Sequence, residues 1–198
     1  MSLEKVEDRV VHFPQYKDVF QFDSEVSLVF PDMAVRSIPM YEEAHRLHIS
    51  LFAEEIAAKD RVTFVDVGAS RGQFFKQLCN QFQIEAKVGS PCFKGLAVDT
   101  SPHMLRLLKE EMPWVTTLCC DAAALPDLPV QADFISMFYL VQFVREDADK
   151  TALLQWAYRN LAEGGVLFLG QKEKEEYGFE ERLSEEYYRF RMRNGYTK

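Results

Sequence analysis

The stretch FVDVGASRGQFF, residues 64–75, decides the fold of this chain. Apolar residues lead into an acid, Asp66, and then Gly68, Ser70 and Gly72 follow at alternate positions. The apolar run predicts a strand buried on both faces, and the aromatic residues at the end begin a helical pattern. Glycines permit a tight turn and let another group approach the backbone closely. The stretch therefore predicts a strand, a turn and a helix, with either a purely structural turn or a ligand resting on it.

Strand and helix patterns alternate along the rest of the chain. A helical pattern ends at the pair Gly164 and Gly165, and another begins with Ser101 as its N-cap and Pro102 in its first turn. Alternation of this kind predicts an α/β fold with a doubly wound, mostly parallel sheet and helices on both faces. The further strands are expected at residues 92–99, 114–121, 132–140 and 166–170.

The N-terminal part of the chain has a different character. Pro14, Pro31 and Pro39 disfavour any long helix there. We therefore predict an irregular N-terminal arm and lid over residues 1–40 and an α/β domain over residues 41–198, with a helical tail. The helix that begins at residue 41 is expected to bury one apolar stripe, formed by Ala44, Leu47, His48, Leu51, Phe52 and Ile56.

Composition narrows the classes of function. The chain has 198 residues and a formal net charge of -8, which disfavours direct binding of nucleic acid. The first residues lack the apolar core of a signal peptide, and no apolar run is long enough to span a membrane. Four cysteines without metal-ligand spacing are expected to be reduced and buried, as in a cytoplasmic protein: Cys79, Cys92, Cys119 and Cys120.

Other catalytic and metal-binding patterns are weak. His45 and His48 are one helical turn apart, a spacing that can hold a metal, but no third ligand is evident. Packing and surface roles are therefore the expectation, and no metal is predicted. Neither a Ser-His-Asp nor a Cys-His arrangement is visible, so chemistry by a bound cofactor is favoured over a protein nucleophile.

Three predicted strands carry an acid at or near the carboxyl end: Asp66, Asp99 and Asp121. Ligands of doubly wound sheets bind beyond these strand ends. The two oxygens of Asp99 match the two hydroxyls of a ribose, and Asp121, with Ala122 beside it, can accept a hydrogen bond from an adenine amino group. The turn after the first strand suits an ammonium group better than a phosphate. This combination favours S-adenosylmethionine as cofactor, whereas each acid taken alone is better explained by solvation at a strand end.

Several stretches carry a resemblance to a known family. VDVGASRG, GLAVDTSPHML and LAEGGVLFL resemble the cofactor signature of class I methyltransferase-fold enzymes. FDSEVSLVFPDMAVRSIPMY, FYLVQFV and RMRNGY resemble the carboxy-S-adenosylmethionine synthases, methyltransferase-like enzymes of wobble-uridine modification in tRNA. The second resemblance extends from about Phe22 to Tyr196.

The resemblance implies a Rossmann-like fold and an unusual reaction. Members of this family transfer a carboxyl group from prephenate to S-adenosylmethionine, release phenylpyruvate and form homodimers. The family's last two strands follow the matched segment, so we expect the sheet to end at the fifth strand. The cofactor-binding residues predicted from position and resemblance are Tyr41, Asp66, Gly68, Ala69, Ser70, Gly72, Asp99, Thr100, Met104, Asp121, Ala122, Phe138 and Tyr139.

Two departures from the family leave alternatives open. Phe138 stands where the family has an asparagine, and a phenyl ring cannot hydrogen-bond a carboxylate. The family's carboxylate-binding arginine lies beyond the matched segment, so Arg36, Arg191 and Arg193 are the candidates for that role. The alternatives are an ordinary methyltransferase acting on a small molecule and a cofactor-binding protein without activity.

Overall fold

The computed structural model describes residues 24–83, 93–172 and 178–196. The chain divides into two compact units: a larger one, Glu42–Glu173, and a smaller one formed by Met1–Tyr41 and Lys174–Lys198. Cys92 lies outside the described residues, as does most of the predicted N-terminal arm.

The larger unit contains a five-stranded sheet in which every pairing is parallel. The strand order is β3-β2-β1-β4-β5, so the winding direction reverses between β1 and β4. This arrangement confirms the predicted doubly wound sheet and places the topological switch point at the ends of those two strands. The strands are β1 Val62–Val67, β2 Phe93–Asp99, β3 Val115–Cys119, β4 Ala132–Phe138 and β5 Leu161–Gly170.

Helices cover both faces of the sheet, and each face has its own apolar core. On one face the rings of Phe64, Phe134 and Phe168 form a row across β1, β4 and β5, with centroids 5.3 and 5.6 Å apart. Trp156 and Ala157 belong to the core of the other face. Five helices lie between residues 41 and 160: α2 Tyr41–Leu51, α3 Ala53–Ala57, α4 Gln73–Phe82, α5 Pro102–Glu111 and α6 Asp147–Asn160.

Local signals place the start of α5 as predicted. The Ser101 hydroxyl accepts a hydrogen bond from the Met104 N–H at 3.4 Å, and Pro102 occupies the first turn. The end of α6 was predicted wrongly. The helix ends at Asn160, and β5 begins at once and runs through the two glycines that were expected to stop the helix. Leu161 already pairs with β4. The residues after Asn160, which the helical periodicity of the sequence assigns to the helix, therefore belong to the strand.

The buried face of α2 also differs from the prediction. Leu47 and Leu51 are 57% and 63% exposed, whereas His45 is only 3% exposed and Ile49 is fully buried. The polar residue is buried because its ring packs against Phe138 of β4, with 4.2 Å between centroids. A second correction concerns Cys119, which was expected to be buried and is exposed at the end of β3.

The smaller unit contains two helices, α1 Ser24–Ser37 and α7 Glu180–Arg193. The prediction of an irregular arm was thus wrong for residues 24–37, because α1 continues through Pro31 at the loss of one backbone hydrogen bond. The helical tail is confirmed. The turn after α7 binds the last carbonyls of α1: Asn194 Nδ2 donates to the Arg36 carbonyl at 3.2 Å, and the Tyr196 hydroxyl donates to the Met33 carbonyl at 3.3 Å.

Candidate functional site

The turn between β1 and α4 has a left-handed backbone at three of its residues. The φ angles are 77° at Gly68, 49° at Ser70 and 74° at Gly72. The Gly68 N–H donates to the Val98 carbonyl of β2 at 2.8 Å. A Cβ added at Gly72 would lie 2.6 Å from the Met112 Cε. The φ angle therefore favours glycine at residue 72, and an added methyl group would force the Met112 and Leu108 side chains to shift. The turn lies close against the end of β2.

Asp99, the last residue of β2, holds this turn. Its Oδ2 accepts the Ser70 N–H at 2.8 Å, and its Oδ1 accepts the Ser101 N–H at 2.8 Å. Burial raises the pKa of the Asp99 carboxyl, and these backbone hydrogen bonds act in the opposite direction. The Ser70 hydroxyl also lies 3.6 Å from the Met104 sulfur. Four of the predicted site residues, Ser70, Asp99, Thr100 and Met104, thus lie in one connected group.

Asp121 follows the end of β3 and begins a short 3₁₀ turn, Ala122–Ala124. Its Oδ1 accepts the Ala123 N–H at 2.8 Å, and the residue is exposed. The Cys120 N–H donates to the Asp99 carbonyl at 3.1 Å, so this turn starts beside the end of β2. The second and third acids therefore lie at or just after strand ends, as the sequence predicted, and the structure shows that these two strands are neighbours.

Asp66 lies deeper in the sheet than the other two acids. It is 5% exposed and is paired in register with Ala97 on β2 and with Ser136 on β4. The pKa of the Asp66 carboxyl is raised to about 7: burial is the largest cause, the Ser136 hydroxyl acts to lower it, and the nearby Asp99 carboxylate acts to raise it. Sequence patterns did not single out Ser136, which is fully buried beside this carboxyl.

The end of β4 is aromatic and lies close to β5. The Phe138 ring contacts Gly170, where an added Cβ would be 2.5 Å from the ring. Tyr139 has a left-handed φ of 55° and donates its N–H to the Gly170 carbonyl, and burial raises the pKa of its phenol. An added Cβ at Gly68 would lie 3.0 Å from the Leu140 Cδ1. The ends of β1 and β4 therefore meet at the switch point.

Tyr41 and the three arginine candidates belong to the smaller unit. Tyr41 is the buried first residue of α2. The guanidinium carbons of Arg36 and Arg191 lie 5.0 and 4.5 Å from the centroid of the Tyr196 ring. Arg193 ends α7 and is exposed. Two of the three arginine candidates are thus gathered around one tyrosine.

Metal-binding clusters and membrane-spanning helices are absent from the described residues. Within residues 24–83, 93–172 and 178–196, no group of three His, Cys, Asp or Glu side chains is arranged to hold a metal ion. The Nδ1 atom of His48 is 2.7 Å from the Ala44 carbonyl oxygen, one turn earlier in its own helix. None of the described helices is long and apolar enough to cross a bilayer.

Comparison with known proteins agrees with this geometry. Residues 64–165 match the family described as a methyltransferase domain. The carboxy-S-adenosyl-L-methionine synthase of Helicobacter pylori strain HPAG1 is 30% identical over 184 residues, which cover 90% of this chain and 73% of that enzyme. The chain belongs to the carboxy-S-adenosyl-L-methionine synthase family of methyltransferase-fold proteins. This family uses S-adenosylmethionine, and its members are transferases.

Solved structures show the same fold. The amino pentose methyltransferase CalS10 of Micromonospora echinaspora, with S-adenosylmethionine bound, is 22% identical with a TM-score of 0.52 over 79% of this chain. A S-adenosylmethionine-dependent methyltransferase of Clostridium acetobutylicum is 16% identical with a TM-score of 0.58 over 74% of this chain. This chain spans 59% and 57% of the lengths of those two proteins.

The residues of this site fit the family's cofactor. The turn at Gly68 and Gly72 offers backbone without side chains, so an adjacent ligand can approach closely. The carboxylates of Asp99 and Asp121 supply acceptors at adjoining strand ends, where the hydroxyls and the amino group of an adenosine would need them. The buried Asp66 supplies a carboxyl group that a cation would ionise.

Proposed function

We propose that this chain binds S-adenosylmethionine at the carboxyl ends of β1 to β4. Asp99 would hold the ribose hydroxyls, Asp121 the adenine amino group and Asp66 the ammonium group. The hydrogen bond from the Ser70 N–H to Asp99 supports this, because it fixes the carboxylate beside the glycine turn before any ligand arrives. The other residues proposed to contact the cofactor are Tyr41, Gly68, Ala69, Ser70, Gly72, Thr100, Met104, Ala122, Phe138 and Tyr139.

The protein's part in the reaction is binding, orientation and exclusion of water. When bound, the cofactor supplies a methyl group that its sulfonium makes both electrophilic and acidic. No side chain of the described site is assigned as a nucleophile. Phe138 is buried and Tyr139 is half-buried at the end of β4, and their rings would exclude water from that side. Tyr139 would also present a neutral hydroxyl, and burial, which raises the pKa of its phenol, keeps it neutral to higher pH.

The reaction that the family supports best is carboxyl transfer from prephenate to the cofactor. The observation behind it is the 30% identity to the Helicobacter enzyme over 90% of this chain. In that reaction the methyl group exchanges one proton for a carboxylate. Prephenate loses that carboxyl group and a hydroxide to become phenylpyruvate, and the proton and the hydroxide form water. The product would serve modification of the wobble uridine of tRNA in the cytoplasm, without contact between this acidic chain and the tRNA.

A carboxylated substrate needs fixed cations. Arg36, Arg191 and Arg193 are the proposed partners for its carboxylates, and the first two are already oriented by the Tyr196 ring. Arg36 also pairs with Asp32 at 3.4 Å, so an incoming carboxylate would compete with that surface ion pair. Guanidinium groups bind carboxylates through two parallel hydrogen bonds, which suits this role better than lysine.

A second candidate function is methyl transfer to a small molecule. Phe138 favours it, because its ring fills the end of β4 between His45 and Gly170 and offers no hydrogen bond to a carboxylate. An apolar or aromatic acceptor would pack against this ring. The side chain at residue 138 therefore distinguishes the two candidate functions.

Mass spectrometry of the products separates the candidates. We would incubate the protein with S-adenosylmethionine and prephenate, and in parallel with the cofactor and a panel of small methyl acceptors. A cofactor that gains the mass of one CO₂, together with phenylpyruvate, supports carboxyl transfer. S-Adenosylhomocysteine and a methylated acceptor support the second candidate. Binding of the cofactor without turnover in either reaction would contradict both and leave a binding protein.

The variant Phe138→Asn sharpens that assay. If the phenyl ring blocks a carboxylate, the asparagine variant should form more carboxylated cofactor than the parent chain. The control is Leu154→Asn, a substitution at an exposed position of α6. Equal or lower carboxylation in Phe138→Asn, with its fold intact by circular dichroism, would show that Phe138 does not decide the reaction.

The proposal includes a homodimer. The exposed side chains of α7 offer a surface for it, because Leu183 and Tyr188 are large apolar or aromatic groups on one short helix. Sedimentation velocity at micromolar concentration should give the mass of two chains. A single 23.0 kDa species at every concentration would exclude the dimer.

A further inference from the structure

We propose that Ser136 is a positioning residue that holds the carboxylate of Asp66 toward the ammonium group of S-adenosylmethionine. This inference rests on the proposed function, since it concerns the same site. Neither the sequence motifs nor the family comparison points to Ser136. The role follows from the place of this residue in the sheet.

The register of the central strands puts the two side chains together. Asp66 of β1 and Ser136 of β4 are directly paired. Phe64 and Phe134, two residues earlier on each strand, stack on one face of the sheet. Side chains two residues apart on a strand point to the same face, so Asp66 and Ser136 share that face too. Both are buried, with exposures of 5% and 0%.

The hydroxyl of Ser136 is not used by the fold. Among the described residues it has no well-formed hydrogen-bond partner, although it lies beside the carboxyl of Asp66 and lowers the pKa of that group. A buried hydroxyl left without a partner is costly, and such groups are few in native proteins. An ionised Asp66 gives this hydroxyl a strong acceptor, and an ammonium group beyond it balances the charge.

This arrangement links binding to a proton. The pKa of Asp66 is raised to about 7 without a ligand, so the carboxyl is partly protonated near neutral pH. A cation bound there favours the ionised form, and cofactor binding should therefore release part of a proton. Binding should strengthen as the pH rises through about 7 and weaken again where the cofactor's own amino group loses its proton, near pH 8.

Other titratable groups must be separated from Asp66. Asp99 is the carboxylate on β2 that acts on it directly. The elements that pack on this face carry further titratable groups, which are present both in the parent chain and in a Ser136 variant. They are His45 and His48 on α2, Lys76 and Cys79 on α4, and His103 on α5.

The test compares Ser136→Ala with the parent chain by isothermal titration calorimetry. The probes are S-adenosylmethionine and 5′-methylthioadenosine, which has the adenosine but lacks the amino-acid part. At pH 7 we expect Ser136→Ala to bind S-adenosylmethionine about five-fold more weakly than the parent chain does. About one pH unit higher, the loss should be less than two-fold. The reason is that Asp66 ionises only at a higher pH when the Ser136 hydroxyl is absent. Affinity for 5′-methylthioadenosine should not change.

Two control variants complete the design. Ser136→Cys retains a weak donor and should fall between serine and alanine. Ser27→Ala removes another buried serine, in the smaller unit, and should leave both affinities unchanged. Circular dichroism confirms that each variant is folded.

Three results would overturn the inference. The first is that Ser136→Ala and the parent chain bind S-adenosylmethionine with equal affinity at pH 7. The second is that the variant loses the same factor in affinity at both pH values. The third is that it loses the same factor for S-adenosylmethionine and for 5′-methylthioadenosine. If the parent chain bound neither probe, the proposed function would fail and this inference with it. Binding of S-adenosylmethionine without any of the expected Ser136 effects would overturn the inference alone.

Discussion

The Ser70 N–H donates a 2.8 Å hydrogen bond to the Oδ2 atom of Asp99. This bond joins the glycine turn after β1 to the end of β2, across 29 residues of sequence. The other carboxylate oxygen accepts the Ser101 N–H, so the group is oriented from both sides. A carboxylate fixed in this way needs little reorganisation when a ligand binds, because its rotational freedom is already lost.

Asp99→Ala should weaken binding of S-adenosylmethionine by about 1–3 kcal/mol, because it removes the proposed acceptor for the ribose hydroxyls and frees the turn at Ser70. Calorimetric titration of the cofactor measures the effect. The exposed Asp60 provides a matched control, and Asp60→Ala should bind the cofactor as the parent chain does. Unchanged affinity in Asp99→Ala would remove Asp99 from the site.

Gly72→Ala should destabilise the fold by about 2–4 kcal/mol, because a methyl group meets Met112 and Leu108 in addition to the strained φ angle. Gly164→Ala is the matched control, since residue 164 has a similar φ of 71° but no atom within 4 Å of an added Cβ. It should cost only about 1 kcal/mol. Urea unfolding gives both values, and equal losses would show that the contact with α5 is unimportant.

Asp66 should make the stability of the ligand-free chain depend on pH. Its pKa is raised from 3.8 to about 7 in the folded state, so the folded chain holds this proton more tightly than the unfolded chain. The resulting stabilisation is complete below about pH 4 and is lost as the pH rises through about 7. Asp66→Asn cannot ionise and should lack this loss.

Urea unfolding of both proteins at about pH 5 and about pH 8.5 tests this prediction. The stability of Asp66→Asn relative to the parent should increase between these values by about 2–4 kcal/mol. All other ionisable groups are the same in both proteins and cancel in the comparison. A constant difference between the two proteins would mean that Asp66 is already ionised in the ligand-free fold.

Asn160 should be a large contributor to stability. It is buried, its Oδ1 accepts the Leu128 N–H at 2.7 Å, and its Nδ2 donates to Asp127 and to the Trp156 carbonyl. Asn160→Ala leaves the Leu128 N–H without its acceptor and should cost about 2–4 kcal/mol. Thermal unfolding measures it, with the neighbouring exposed Arg159→Ala as control. A loss similar to the control would show that water replaces the amide.

Short-range sequence patterns predicted much of the fold. The turn at Gly68 and Gly72 was predicted because its φ angles depend on local sterics, and the N-cap at Ser101 because its bond reaches only three residues along the chain. Pro31 shows where local rules stop, since α1 continues through it. Leu47 and His45 show the same limit for burial, because periodicity marks a helix face without saying what packs on it.

The sequence by itself determined that three acids stand at successive strand ends behind a glycine turn, because strand polarity and turn sterics are properties of short segments. Only the tertiary structure decided which strands are neighbours. The pairing of β1 with β4 brings Ser136 to Asp66 across 70 residues of sequence and places Phe138 against His45. Such contacts depend on register and on competition among many packings, and no local pattern encodes them.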